Sequence, residues 1–395
     1  MSSWPPLPFP NEILEKIFVD TWNATRDGTP KERAALYRSI SDADPRLRQV
    51  IVHVALRNVI LEWHREHLQD FELYDSIAGD AASLAGVHED TGRAPALRAL
   101  FRSSHVRLSF DPFGLLQRKS GDYIASKKAF AWSAPAMDAL GRLFHSCRSF
   151  TLTHSRERKV LPERTLDPLF RVLHGFLALE SLHIDCYFTD DELWCPESEP
   201  DAIPTLPTVR FLRLKHFPLC ACACTAEDPA PAPRRRWPTT RRKACLGGAF
   251  RVIFPSLQHL HLENAVFLKR LVRLLPRTLT TLTLDAPLTR PIAARPPYSS
   301  LLDYNVAAAL RRGLLRPARH DGTGGNDGDG AARTIIVHAG TADPYGWTAA
   351  RAACGEAGVR LVKVVSYLAP VERTDFEYVK SKKVGQARLR PFGAH

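Results

Sequence analysis

Four hexapeptides along the chain repeat one form: an aliphatic residue, two free positions, leucine, one free position, and a final aliphatic residue. They run from Leu179 to Ile184, Val209 to Leu214, Leu257 to Leu262 and Leu279 to Leu284. Alternation of this kind is the period of a strand with one buried face. The marker leucines are Leu182, Leu212, Leu260 and Leu282, spaced 30, 48 and 22 residues apart. A strand this short cannot bury its apolar face alone, so a recurrence of roughly 20–30 residues requires each copy to stack on the next. The long middle interval holds an insertion, Cys220 to Gly248, rich in Pro, Ala and Arg and poor in residues that build a core. Such a segment is expected to be a disordered loop. Further alternating runs occupy Val106 to Phe110 and Phe150 to Thr153, and strands are also expected over Arg333 to His338 and Val359 to Val365. A Gly/Asp-rich linker, Asp321 to Gly330, falls before the last two.

The repeated form is similar to the strand segment of degenerate leucine-rich repeats. In that arrangement the marker leucines face the core and the residues between them line a recognition face. The expected outward set is Ser181, His183 and Asp185; Phe211, Arg213 and Lys215; His259, His261 and Glu263; and Thr281, Thr283 and Asp285. From it His183, Arg213, His261 and Thr283 are taken as candidate substrate contacts. His261, beside Leu260, is expected to serve binding and not stability.

The start of the chain has a different period. Pro5, Pro6, Pro8 and Pro10 hold it extended. Asn11 is expected to cap a helix in which Ile13, Leu14, Ile17 and Phe18 form an apolar stripe. A polar turn with Asp27, Gly28 and Pro30 leads to a second helix, Lys31 to Ile40, and a third is expected from Pro45 to His67. The segment Phe9-Pro10-Asn11-Glu12-Ile13-Leu14-Glu15-Lys16-Ile17-Phe18 resembles the opening of the F-box, L-P-x-E-I-L-x-x-I-F, with Phe9 in place of its first leucine. The later part of that motif is looser: Ala43 to Arg48 stands where the family has a V-C-x-x-W-like signature. The resemblance, to fungal-type F-box proteins, implies a Skp-type adaptor of a cullin ubiquitin ligase as partner. Phe9, Pro10, Ile13, Leu14, Ile17 and Phe18 would be the adaptor-binding residues, docking as a helix in a groove.

Several function classes find no support in the residues. No G-x-S-x-G elbow, H-E-x-x-H pair or phosphate-binding loop occurs, so no enzyme and no cofactor are expected. Cys220, Cys222 and Cys224 lack the paired spacing of a zinc site, and no metal is expected. The net charge of +12 includes the run Arg234 to Lys243, which fits a nuclear address or a solvated loop. A basic nucleic-acid-associated protein is the reading from another class; no recognisable nucleic-acid fold surrounds the run, and no nucleic-acid partner is expected. There is no signal-peptide pattern and no apolar stretch long enough for a bilayer. No membrane partner is therefore expected, and the eight cysteines are expected as thiols in a cytoplasmic or nuclear protein.

The expected architecture is α/β: an N-terminal helical F-box-like unit over residues 1–67, then an irregular leucine-rich-repeat solenoid over 68–385. Insertions fall near 220–248 and 319–332, and 386–395 form a flexible tail. The expected function is substrate recognition in an SCF-type ubiquitin ligase, with an unknown protein substrate on the solenoid. The alternative is a repeat scaffold for protein interaction with no ligase role. The composition of Thr225 to Lys243 predicts that limited trypsin digestion cuts there first; protection of its arginines would show an ordered segment.

Overall fold

A computed structural model describes residues 10–63, 69–84, 104–110, 134–154, 160–161, 166–188, 204–215, 217, 246–264, 268–286, 299–316 and 333–366. The Cys220–Gly248 insertion up to residue 245, the Asp321–Gly330 linker and the C-terminal tail lie outside them. So do Phe9 and the cysteines at 195, 220, 222, 224 and 245. The protein is α/β. Its nine principal strands belong to parallel ladders, divided between two compact units: residues 1–260 with 274–279, and residues 261–273 with 280–395.

The first unit opens with helices α1 (Asn11–Ala24), α2 (Pro30–Ser41) and α3 (Pro45–Arg57). Pro10, not Asn11, caps α1: its extended backbone ends the approach, and its carbonyl accepts from the amides of Ile13 and Leu14 at 3.2 Å. Asn11 lies inside the helix, where its Oδ1 accepts from Arg46 Nε at 2.7 Å. Helix α2 begins with a capping box. Thr29 Oγ1 accepts from the Glu32 amide and Glu32 Oε2 from the Thr29 amide, with Pro30 in the first turn. Asp44 caps α3 through the Arg46 amide.

The third helix ends at Arg57, short of the His67 expected from periodicity. Asn58–Trp63 is strand β1. Val59, Ile60 and Leu61 are all buried, and a strand buried on both faces reads like a buried helix in sequence. Trp22, fully buried, donates its indole N–H to the Asn58 carbonyl at 2.8 Å and ties α1 to the strand's start.

After β1 come α4 (Gln69–Leu84), β2 (His105–Phe110), α5 (Ala134–Phe144) and β3 (Ser149–His154). They are followed by β4 (Val160–Leu161), α6 (Leu166–His174), β5 (Ser181–Asp185), β6 (Tyr187–Phe188) and β7 (Phe211–Leu214). Helix α7 (Leu246–Ile253) leads into β8 (His259–Leu262), whose first two residues close the unit. Strands β1, β2, β3, β5, β7 and β8 lie side by side in chain order; β4 and β6 make a separate pair. The register sets Val59 beside Val106, Val106 beside Phe150, Phe150 beside Leu182, and Leu182 beside Leu212. Every residue of this row is buried. The marker leucines therefore face the core as the alternation requires.

Strands β3, β5, β7, β8 and β9 are entered in the same way. The amides of Cys147, Leu179, Val209, Leu257 and Leu279 donate to the carbonyls of Phe144, Phe176, Leu206, Phe254 and Pro276, three residues earlier. These five amide owners are the first apolar residues of their runs, and all are buried. Two amides at the next strand's start then share one carbonyl of the strand before: Glu180 and Ser181 on Arg148, Arg210 and Phe211 on Glu180, Gln258 and His259 on Arg210. The run Cys147 to Leu152 is thus a further copy of the unit, with Cys147 and Phe150 in place of leucines.

A buried ion pair holds α2 against α4. Arg33, fully buried, meets Asp70 in two-pronged fashion, Nε to Oδ1 at 3.0 Å and Nη2 to Oδ2 at 2.8 Å. Its Nη1 donates to the carbonyls of Thr25 and Gly28, and Asp70 Oδ2 also accepts from the Glu62 amide. A buried charge pair survives only when its remaining hydrogen-bonding positions are filled in this way.

The second unit takes up the end of β8 and continues with α8 (Leu268–Leu271), β9 (Thr281–Asp285), α9 (Val306–Arg311), β10 (Thr334–Ala339), α10 (Trp347–Glu356) and β11 (Arg360–Val365). Leu282 pairs with Ile335 and Leu284 with Val337, all fully buried. Strand β11 lies parallel on the far side of β10.

Register can be tested by stability. Leu260→Ala empties a buried position and should cost about 2–5 kcal/mol. Arg213→Ala, on an exposed position of β7, should stay within about 0.5 kcal/mol. Chemical denaturation of the two variants checks this; a reversed order would mean that the strands present the other face.

Candidate functional site

The apolar stripe of α1 divides between two faces. Leu14, Phe18 and Trp22 point into the core, whereas Ile13 and Ile17 are 46% and 47% exposed. Residues four apart share one side of a helix, so Ile13 and Ile17 form one ridge and Leu14 and Phe18 another. Of the six residues named from the motif, Pro10, Ile13 and Ile17 are exposed, Leu14 and Phe18 belong to the core, and Phe9 lies outside the described residues. The core face fixes α1 in place and leaves the isoleucine ridge exposed. Arg57 Nη1 pairs with Glu15 at 2.9 Å beside it.

The strand residues between the leucines are linked across neighbouring strands. In the first unit His183 stands beside Arg213 in register. Asp185 Oδ1 meets Lys215 Nζ at 2.8 Å, and its Oδ2 accepts from Thr153 Oγ1 at 3.2 Å. The His105 ring lies between the hydroxyls of Ser149 and Thr151, at 2.8 and 3.2 Å. Burial, with Arg107 next, lowers the pKa of that imidazole, favouring the neutral ring. Phe211 lies against the His259 ring. Of the candidate contacts here, Arg213 is exposed and His183 half-buried.

The second unit departs from expectation. Thr283 and Asp285 are buried, so Thr283, which stands beside Ile336 of β10 in register, is no surface contact. His261 is not a free binding residue either. Its Nε2 lies 2.8 Å from Asp285 Oδ1, and His338 Nδ1 approaches the same oxygen from the other side at 3.1 Å. The two rings meet edge to face at 5.3 Å. Below them the Tyr304 hydroxyl, fully buried, donates to the Asp285 carbonyl at 2.7 Å. Burial foremost, then the Asp285 carboxylate, pushes that hydroxyl's pKa well up, so it remains a neutral donor. The sequence reading missed this cluster, because Asp285 and His338 are 53 residues apart and only strand pairing joins them. The signal available was a histidine or aspartate at or near the end of each run.

Cys147, Cys186 and Cys354 are free and buried, and burial raises all three thiol pKa values, Cys354 to about 11. They have the character of core residues. No helix among the described residues is long and apolar enough to cross a membrane. Compared with protein-family models, curated proteins and solved structures, the chain matches none.

The division of α1 makes a direct prediction. Ile13→Asp and Ile17→Asp should change stability by no more than about 0.5 kcal/mol. Leu14→Asp, which forces a charge into the core, should unfold the helical part. Circular dichroism melts of the three variants give the comparison.

Proposed function

We propose that the chain is a substrate-recognition subunit of an SCF-type ubiquitin ligase. On this reading α1 binds a Skp-type adaptor, and the parallel strands are degenerate leucine-rich repeats that present a protein substrate. The observation that carries the reading is the exposed pair Ile13 and Ile17, on a helix whose opposite face is anchored by Leu14, Phe18 and Trp22. An apolar ridge on a fixed helix suits a hydrophobic groove, and it falls within the segment that resembles the F-box. The repeated strand entry supports the second half: five copies of one turn, each closed by a buried apolar residue and followed by a parallel strand. Exposed Arg213 and half-buried His183 remain as candidate substrate contacts of the first unit.

The same repeats also serve a scaffold with no ligase role, and adaptor binding separates the two. The double variant Ile13→Asp/Ile17→Asp should lose a purified Skp-type adaptor in a pull-down while keeping its helical signal. Absence of adaptor binding by the unaltered chain, or undiminished binding by the folded variant, would favour the scaffold.

A further inference from the structure

His261, Asp285 and His338 project from the adjacent strands β8, β9 and β10 within the second unit. Asp285 and His338 are direct register partners. Neighbouring strands stand about 4.8 Å apart, so Asp285 and His338 stand level across one ladder, and the His261 side chain reaches the same carboxylate oxygen from β8. Their ligand atoms, His261 Nε2, Asp285 Oδ1 and His338 Nδ1, all lie within 4.8 Å of one another.

Such a set has the chemistry of a metal site. Zinc binds imidazole nitrogen and carboxylate oxygen at about 2.0–2.2 Å in a tetrahedral arrangement, which puts two ligand atoms about 3.4 Å apart. The two pairs that include the carboxylate stand at 2.8 and 3.1 Å. Opening by a few tenths of an ångström makes room for the ion. The Asp285 side chain is only 8% exposed, and among the described residues it meets imidazoles and no lysine or arginine. A divalent cation at this point would bind the carboxylate oxygen together with the two ring nitrogens. Two imidazoles with one carboxylate suit zinc-class ions over calcium or magnesium, which favour all-oxygen shells. The Tyr304 hydroxyl on the Asp285 carbonyl, and the Ala286 amide on the His338 carbonyl at 2.8 Å, hold the ligand-bearing backbone in place.

We propose that His261, Asp285 and His338 bind one divalent zinc-class ion through two nitrogens and one oxygen. His338, the more exposed ring, leaves a fourth position open to water or to a ligand from a partner. Coordination takes the neutral rings, with the proton on Nδ1 of His261 and on Nε2 of His338. The site is independent of adaptor binding.

The full chain, stripped of metal with a chelator, is titrated with Zn²⁺ by calorimetry and with Co²⁺ by absorption spectroscopy. A Zn²⁺ site is expected that each of His261→Gln and His338→Gln weakens at least about tenfold. The expected Co²⁺ spectrum has ligand-field bands from nitrogen and oxygen donors and no thiolate-to-cobalt charge transfer. Absence of binding, or affinity unchanged in both variants, overturns the proposal. If either variant fails to fold by circular dichroism, the Co²⁺ spectrum of the unaltered chain decides. A spectrum of nitrogen and oxygen donors alone supports the site, and thiolate charge transfer or the lack of any ligand-field spectrum overturns it.

Discussion

The recurring turn before β3, β5, β7, β8 and β9 governs how those strands are laid down. An amide three residues after a carbonyl closes the turn, the amide's owner buries its side chain, and the strand leaves in a fixed direction. The next copy donates two amides to one carbonyl of its predecessor. A parallel strand cannot be reached by a tight hairpin and needs a crossover. Register is therefore set by this entry and by the apolar row it feeds, not by the connections. That tolerance explains how intervals as unequal as 22 and 48 residues between marker leucines serve one ladder pattern. A one-residue slip would turn Leu182 or Leu212 outward.

Polar groups inside this apolar frame fall into two kinds. Arg33 and Asp70 are compensated by each other and by backbone groups on every side. They join α2, α4 and the end of β1, and removing one partner would strand a buried charge. Asp285 is held otherwise, by two half-buried imidazoles at one oxygen. The first arrangement is closed and structural. The second gathers side chains of three strands around a single carboxylate oxygen.

The surface readings differ in how directly they follow from packing. Four-residue spacing alone puts Ile13 and Ile17 on one ridge and Leu14 and Phe18 on another, but only contact with the remaining helices and β1 decides which ridge is buried. On the strands, alternation identifies the outward residues, yet exposure varies among them. Arg213 reaches solvent, while Thr283 is enclosed.

Much of this was legible in the sequence. The alternation in Leu179–Ile184 and its counterparts set strand, face and marker leucines. The starts of the second and third helices, expected at Lys31 and Pro45, fall at Pro30 and Pro45. Local chemistry sufficed in each case. It misplaced the cap at Asn11, since Pro10 already supplied the terminating backbone. It also ran the third helix through Asn58–Trp63, because a fully buried strand carries no periodicity of its own. The copy at Cys147–Leu152 was missed because Cys147 and Phe150 replace leucine there. Tertiary structure alone decided the Arg33–Asp70 pair and the meeting of His261, Asp285 and His338. Their partners are distant in sequence, and a side chain's distant partners are fixed by strand order and helix packing, which no local pattern encodes.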